Sequence, residues 1–410
     1  MLKKTSIALI LLFFSASFSQ KVNCATWEDV VELAKNNDSL VSAAKQLDSA
    51  EWSYKKTWTN FFPQVSASAG YTEVFVPEDQ PKAYSLGLNV SQSLFKGFQN
   101  YNSLRTSYAA YQSALANLKK TQAQVYYDIR STFIELYIAQ ENISLSNKIL
   151  SRLKDNSRMI KLRYDSGRED KGNLLSTLAS QKDGEYSLAT AKRSYLLAQL
   201  KLSQLVSQEI KTTDGTLPIS YEKDPDFNKL TENSPSYLIA KYQLETSDIA
   251  AQNSWGGFLP SVSLSWSESK SGEEWPPSDV SKRWSLNMSY SLFPGGSNIA
   301  DKFINDLNLD KVKRDFESEK KNLRYNIESA YSSLKNALDN LEVKRAQLEA
   351  ANERANIADA KYQNGLITFD DWNRITNDGI SAQRNYLNAK KSALEGSAAW
   401  KNSYGGWEIW

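Results

Sequence analysis

The chain has 410 residues, 49 Lys plus Arg against 47 Asp plus Glu for a formal charge of +2, and 41% hydrophobic residues. A chain of that make-up folds, and its near-balanced charge lacks the basic field a nucleic-acid binder needs. It has no histidine and a single cysteine, Cys24, which removes His-dependent triads, His-dependent metal sites and intrachain disulfides.

In chain order, Met1-Leu2-Lys3-Lys4 supplies a positive start, Ile7 to Phe14 an apolar run, and Ser15, Ala16, Ser17 and Ser19 the small residues behind it. This layout predicts a secretory signal peptide over 1–19, cleaved after Ser19 or as late as residue 24, and too short to span a bilayer. A lipid-modified Cys24 is the alternative, against which Lys21 sits where such sites want an aliphatic residue. No later stretch approaches the ~18–20 apolar residues of a helical span, so any entry into a membrane is by strands.

Behind the leader the pattern predicts a first structural repeat over 25–210, a linker at 211–235 carrying Pro218, Pro225 and Pro235, a second repeat over 236–400, and a tail at 401–410. The first repeat reads as a heptad-like helix (about 27–60) and strands at about 64–73 and 83–93. A seam through Leu104, Tyr108, Tyr111, Leu115 and Ile129 follows over about 98–163, then a turn at Gly167 and a helix over about 173–208. The second repeats the order: a helix over about 236–255, strands at about 261–268 and 283–293, a seam through Leu323, Ile327, Tyr331 and Leu334, a turn at Gly365, and a helix over about 371–400. At 1.5 Å per residue each long seam makes a helix on the order of 100 Å. The 10 prolines avoid these seams, where each would cost about 3 kcal/mol or more. Short matches keep register at an offset of about 198: Ser93-Leu94-Phe95-Lys96-Gly97 with Ser291-Leu292-Phe293-Pro294-Gly295, and Arg163-Tyr164-Asp165-Ser166-Gly167 with Lys361-Tyr362-Gln363-Asn364-Gly365.

In the strands the period becomes two. Val65, Ala67, Ala69 and Tyr71 alternate with Ser66, Ser68, Gly70 and Thr72, and Trp284, Leu286 and Met288 alternate with Ser285, Asn287 and Ser289. An ordinary soluble sheet carries charges on its wet face. Small uncharged polar residues opposite aliphatics with terminal aromatics fit a barrel wall between lipid and a watery lumen, with Tyr71, Tyr84, Trp266, Trp284 and Tyr290 as interfacial anchors. A barrel closes with about eight strands or more, and open edges in lipid leave backbone groups unsatisfied at several kcal/mol each. The four strands of one chain therefore need partners; two chains give eight and three give twelve, and a water-filled bore favours three.

With these corners, turns and duplicated order on the page, the chain resembles the outer-membrane efflux protein family, the TolC-like exit ducts of tripartite export systems. The resemblance implies a mainly α fold with a transmembrane β-barrel portion: a homotrimer whose twelve-stranded barrel stands in outer-membrane lipid on a long α-helical barrel crossing the periplasm. It implies a periplasmic adaptor (membrane fusion) protein and an inner-membrane pump as partners, no cofactor and no catalytic residues. It places adaptor-docking turns at Tyr164, Gly167, Asn173, Tyr362 and Gly365, and an entrance gate at Asp371 with Asp370 and Arg374. A threefold ring of Asp371 would attract cations and narrow the entrance; the plainer role for Asp370 and Asp371 is to start the next helix. Two departures stand out: Asn173 replaces the matching carboxylate in the first half, and Arg374 stands where relatives often carry a second acid, so an Asp371–Arg374 pair is an alternative closure. Gly97, Pro294, Gly295 and Gly296 mark the strand-to-helix corners. The competing reading is a periplasmic coiled-coil scaffold or adaptor that never enters the membrane.

Overall fold

The computed structural model describes residues 24–75, 82–214, 217–219 and 221–407. The expected signal peptide lies outside them, as does the side chain of Cys24 on which lipidation turns. The elements run β1 (Cys24–Ala25), α1 (Trp27–Ala34), α2 (Asp38–Thr57), a 3-10 turn (Trp58–Phe61), β2 (Gln64–Glu73), β3 (Lys82–Lys96), α3 (Gln99–Asp165) and α4 (Lys171–Leu205). They continue with β4 (Thr212–Thr213), α5 (Phe227–Asn233), α6 (Pro235–Asn253), a second 3-10 turn (Ser254–Phe258), β5 (Ser261–Gly272), β6 (Asp279–Ser289), α7 (Ser297–Gln363) and α8 (Phe369–Tyr404). Both long helices have 67 residues, about 100 Å at 1.5 Å per residue. No helix among the described residues is long and apolar enough to cross a membrane.

The chain divides into two compact units, with α3, α7 and α8 supplying residues to both. The first comprises Met1–Asn37, Ile129–Leu217 and Leu348–Leu387. Here β1 and β4 pair in parallel, Cys24 with Thr212 and Ala25 with Thr213, and Trp27 meets Phe133 edge to face at 5.8 Å. Along α4 the buried Thr177, Gly184, Ala191 and Ala198 recur every seventh residue, a seam of small side chains that lets a neighbouring helix approach closely. A Cβ added at Gly184 would stand 2.9 Å from Leu153 Cδ1 of α3.

The second unit comprises Asp38–Asp128, Pro218–Gln347 and Asn388–Trp410. It holds a four-stranded antiparallel sheet in the order β2-β3-β5-β6, so β2 and β6 each keep one edge without a partner strand among the described residues. Directly opposite residues share a face. Val65, Val90, Trp266 and Trp284 form one row, and Ser66, Asn89, Ser267 and Arg283 lie on the other face. Its helical core gathers Ile327, Tyr331, Leu334 and Trp400, with Phe227 and Leu230 of α5 packed against them.

Four expectations are corrected. The helix expected over about 27–60 is broken between α1 and α2, where Asn37 Nδ2 donates to the Leu205 carbonyl at 3.1 Å. The linker expected at 211–235 holds β4 and α5; Asp226 caps α5, and Pro235 sits at the start of α6, where its fixed φ is compatible with a helix. The strand expected at 283–293 runs Asp279–Ser289. Ser289 is opposite Ser261, the first residue of β5, so 290–293 have no ladder left to join within the chain. The strand expected at 261–268 continues to Gly272 against β3.

Candidate functional site

The turns that end α3 and α7 are built alike. Gly167 has φ 72 and Gly365 φ 73, the left-handed region that glycine enters without strain. Gly167 N–H donates to the Tyr164 carbonyl at 2.9 Å and Arg168 N–H to the Arg163 carbonyl at 2.8 Å; Gly365 and Leu366 repeat this on Tyr362 and Lys361 at 3.0 and 2.8 Å. These paired bonds satisfy the carbonyls a helix end leaves open.

The helix starts that follow differ in which residue carries the charge. Asp170 caps α4, accepting from Asn173 N–H at 2.9 Å. At the equivalent cap of α8 stands Thr368, whose hydroxyl accepts from Asp371 N–H at 3.2 Å and donates to Asp371 Oδ2 at 3.0 Å. The carboxylate has moved three residues along, from the cap in the first turn to the third helical residue in the second. Either position suits the positive end of a helix dipole. Asp371 thus lies in the first turn of α8, hydrogen-bonded to its Thr368 cap, and Arg374 Nη2 pairs with it at 3.2 Å along the same helix while Nη1 lies 3.9 Å from Asp378. The Thr368 hydroxyl and then the Arg374 guanidinium hold the Asp371 carboxyl below the usual carboxylate range. Asp370 and Asp371 are both exposed.

Between the two turns lies a network that the motif reading missed. Tyr362, 3% exposed, donates its hydroxyl proton to Glu169 of the first turn and stacks on Trp372 at 4.7 Å and 11°. Arg163 lies 4.5 Å above the Tyr362 ring, and its Nη2 donates to the Tyr362 and Gln363 carbonyls, each at 2.9 Å. Trp372 Nε1 donates to Asp359 Oδ1 at 2.8 Å, and Asp359 Oδ2 accepts from Arg152 Nη2 at 2.7 Å. Ile160, Ala358 and Phe369 close the apolar side. Burial first, and then the Glu169 carboxylate, push the Tyr362 hydroxyl well above the usual tyrosine range. An open groove of about 840 Å³ beside this network is lined by Lys148, Arg152, Asp155, Met159, Arg163 and Asp359.

Of the expected turn residues, Tyr164 is 38% exposed while its repeat-mate Tyr362 is buried. Asn173 is half-buried and its amide donates to Glu169 at 2.8 Å. Arg163, Glu169 and Trp372 are adjacent to the motifs, but the bonds of Arg163 and Glu169 to the second turn span about 200 positions of sequence and no local pattern signals them. At the corners, Gly97 has φ 54 and Gly295 and Gly296 have φ 67 and 84. A Cβ on Gly97 would also lie 2.5 Å from the Gly256 carbonyl. Tyr71 and Tyr84 are cross-strand partners with rings 5.0 Å apart, as are Trp266 and Trp284 at 6.2 Å. Tyr290 falls just beyond β6 and is 53% exposed. Among the described residues no cluster of three or more metal-ligating side chains occurs.

The profile of the outer membrane efflux proteins matches the chain twice, over residues 30–208 and 227–406. Outer membrane efflux protein BepC of Brucella suis biovar 1 is 20% identical over 384 residues, covering 92% of this chain and 84% of that protein. Among solved structures, CusC, described in terms of transmembrane channel formation, superposes with a TM-score of 0.85 at 14% identity over 92% of this chain and 91% of that one. The outer membrane protein VceC of Vibrio cholerae gives 0.82 at 17% identity over 92% and 95%. The fold is thus that of these channels, with the duplication visible in the doubled profile match.

Proposed function

The chain belongs to the outer membrane efflux protein family, and from that premise we propose that it is the outer-membrane channel of a tripartite efflux or type I secretion system. Three copies share one β-barrel in the outer membrane, and the long helices line a passive duct through the periplasm. An inner-membrane pump supplies the energy, and a periplasmic adaptor docks at the turns around Gly167 and Gly365, with the groove along Arg152 and Asp155 as its seat. Exposed Asp371, paired with Arg374, guards the entrance.

One observation carries this reading: a four-stranded sheet with both edges unpaired among the described residues, aliphatic and aromatic on one face and hydroxyl-rich on the other, continuous with helices of 67 residues. On the apolar face Val65, Trp284, Leu286 and Met288 are 66–71% exposed in the single chain, a cost that lipid removes and water does not. The test is fractionation followed by conductance. The protein should stay with outer membranes through carbonate and high-salt washing, purify in detergent as a trimer, and open steady ohmic channels in planar bilayers. Release by the wash as a water-soluble monomer would overturn the channel reading in favour of the periplasmic scaffold.

A further inference from the structure

Building on the shared-barrel reading just proposed, we infer the register at which two copies of this chain join: β6 of one against β2 of the next, with Trp284 opposite Tyr71 of the partner subunit and Lys282 opposite Glu73 of the partner subunit. The apolar face ends at a different hydrogen-bonded row on each hairpin.

In the first hairpin the last aromatic pair is Tyr71–Tyr84, and the next pair on that face is Glu73–Lys82, with an ion pair of 3.6 Å. In the second the last aromatic pair is Trp266–Trp284, followed on the same face by Glu268–Lys282 at 3.5 Å. Charges on a lipid-facing wall are tolerated at the interface and costly at depth, so this change from aromatic to charged marks one level around the barrel. Yet the two boundaries are not in the same hydrogen-bonded row. The row through Trp284 and Trp266 passes Val90 and arrives at Val65, whereas the boundary on β2 is at Tyr71, six residues nearer the hairpin tip.

That mismatch measures strand tilt. Spread over the full four-strand repeat, the spacing across the seam included, six residues at ~3.3 Å against four spacings of ~4.8 Å correspond to a tilt of about 45°, the upper end of what barrels show. A level boundary then requires the next β2 to enter six residues along from the row it would occupy in a flat continuation, which brings Tyr71 of the partner subunit to Trp284. The aromatic row Tyr84–Tyr71 and the row Trp284–Trp266 become continuous across the seam, and so do the two ion pairs. On the lumen face Ser285 meets Gly70 of the partner subunit and Asn287 meets Ser68 of the partner subunit, so the small polar lining is unbroken. A shift in the opposite sense would run β2 past Asp279, where β6 begins. Slipping by two residues sets Glu73 of the partner subunit against Trp284 or against Val280.

Short-span cysteine cross-linking of the intact protein in outer membranes tests this, in a Cys24→Ser background. Tyr71→Cys with Trp284→Cys should give inter-subunit product several-fold faster than Tyr71→Cys with Lys282→Cys or with Leu286→Cys. Ala69→Cys with Leu286→Cys samples the same register without removing an aromatic and should also outpace its neighbours, Ala69→Cys with Trp284→Cys and with Met288→Cys. A maximum at one of the displaced pairs, still yielding cross-linked trimers, overturns the register and leaves the shared barrel standing. No inter-subunit product from any pair overturns both.

Discussion

Tyr362 shows how one side chain ties two remote turns together. Its ring is clamped between the Arg163 guanidinium and Trp372, and its hydroxyl reaches Glu169. Tyr362→Phe should lose a hydrogen bond to a carboxylate, about 1.5–3 kcal/mol. The loss should also depend on pH. Because the folded protein holds the Tyr362 proton above the usual tyrosine range, this bond contributes fully below the unfolded value of about 10 and fades as pH rises beyond it. Denaturant unfolding from pH 8 to 11 should therefore show wild type and Tyr362→Phe converging at the alkaline end; parallel curves would sink the assignment. Asp371 has the opposite sign. Its carboxyl is held below the usual range by Thr368 and Arg374, so its charge persists to lower pH than that of an ordinary aspartate. If Asp371 guards the entrance as proposed, replacing it by Asn should weaken any cation preference of the channel in bilayers at neutral pH and through mild acid; a preference equal to that of wild type would confine Asp371 to the first turn of α8.

At the scale of elements, the close approach of helices is written in small residues, and glycines in similar helices have opposite consequences. A side chain at Gly184 would press on Leu153 and on Leu150, at 2.9 and 3.3 Å from the first added carbon, so Gly184→Val should destabilise by about 1–3 kcal/mol through overpacking. At Gly379 the nearest atom is the Ala355 Cβ at 3.5 Å, an ordinary contact. Gly379→Ala should therefore be neutral or gain up to about 1 kcal/mol from helix propensity. The thermal midpoint should fall for Gly184→Val and hold or rise for Gly379→Ala; an unchanged midpoint for Gly184→Val would show that α4 is not seated against α3 as described. Elements governed by local pattern were legible in the sequence: the period-two strands, the period-seven seams and the glycine turns all announce themselves within a few residues. What was not legible depends on distant partners. Helix α5 lies in a proline-flanked stretch with a linker's composition, and it is stable because Phe227 packs on Tyr331 and Trp400 at 5.6 and 6.3 Å. The end of β6 is not legible for the same reason, since it is set by where β5 begins. Tyr362 stands out in the sequence as a turn residue, but its pairing with Arg163 and Glu169 emerges only once the two repeats are brought together.

For the whole molecule, the channel reading proposed above implies a polarity: α7 alone has 67 residues between the second strand-to-helix corner and the turn at Gly365, about 100 Å of helix. A hydrocarbon core is only about 30 Å thick, so on that reading Ser278, beside the second hairpin, is expected outside and the turn at Gly365 on the inner side of the outer membrane. The loop after β5 holds Trp275, 61% exposed, and the short polar link Pro277-Ser278 before β6. In a Cys24→Ser background, Ser278→Cys should react with a membrane-impermeant maleimide on intact cells. Asn364→Cys, one residue before the glycine of the turn, should react only after the outer membrane is permeabilised. Both positions protected until permeabilisation would mean the strands do not cross the membrane, and both labelled on intact cells would invert or abolish the polarity. Either result would remove the physical reason for joining an apolar-faced sheet to helices three times longer than a bilayer core is thick, because that pairing makes sense only if one end is anchored in lipid and the other must reach across an aqueous gap.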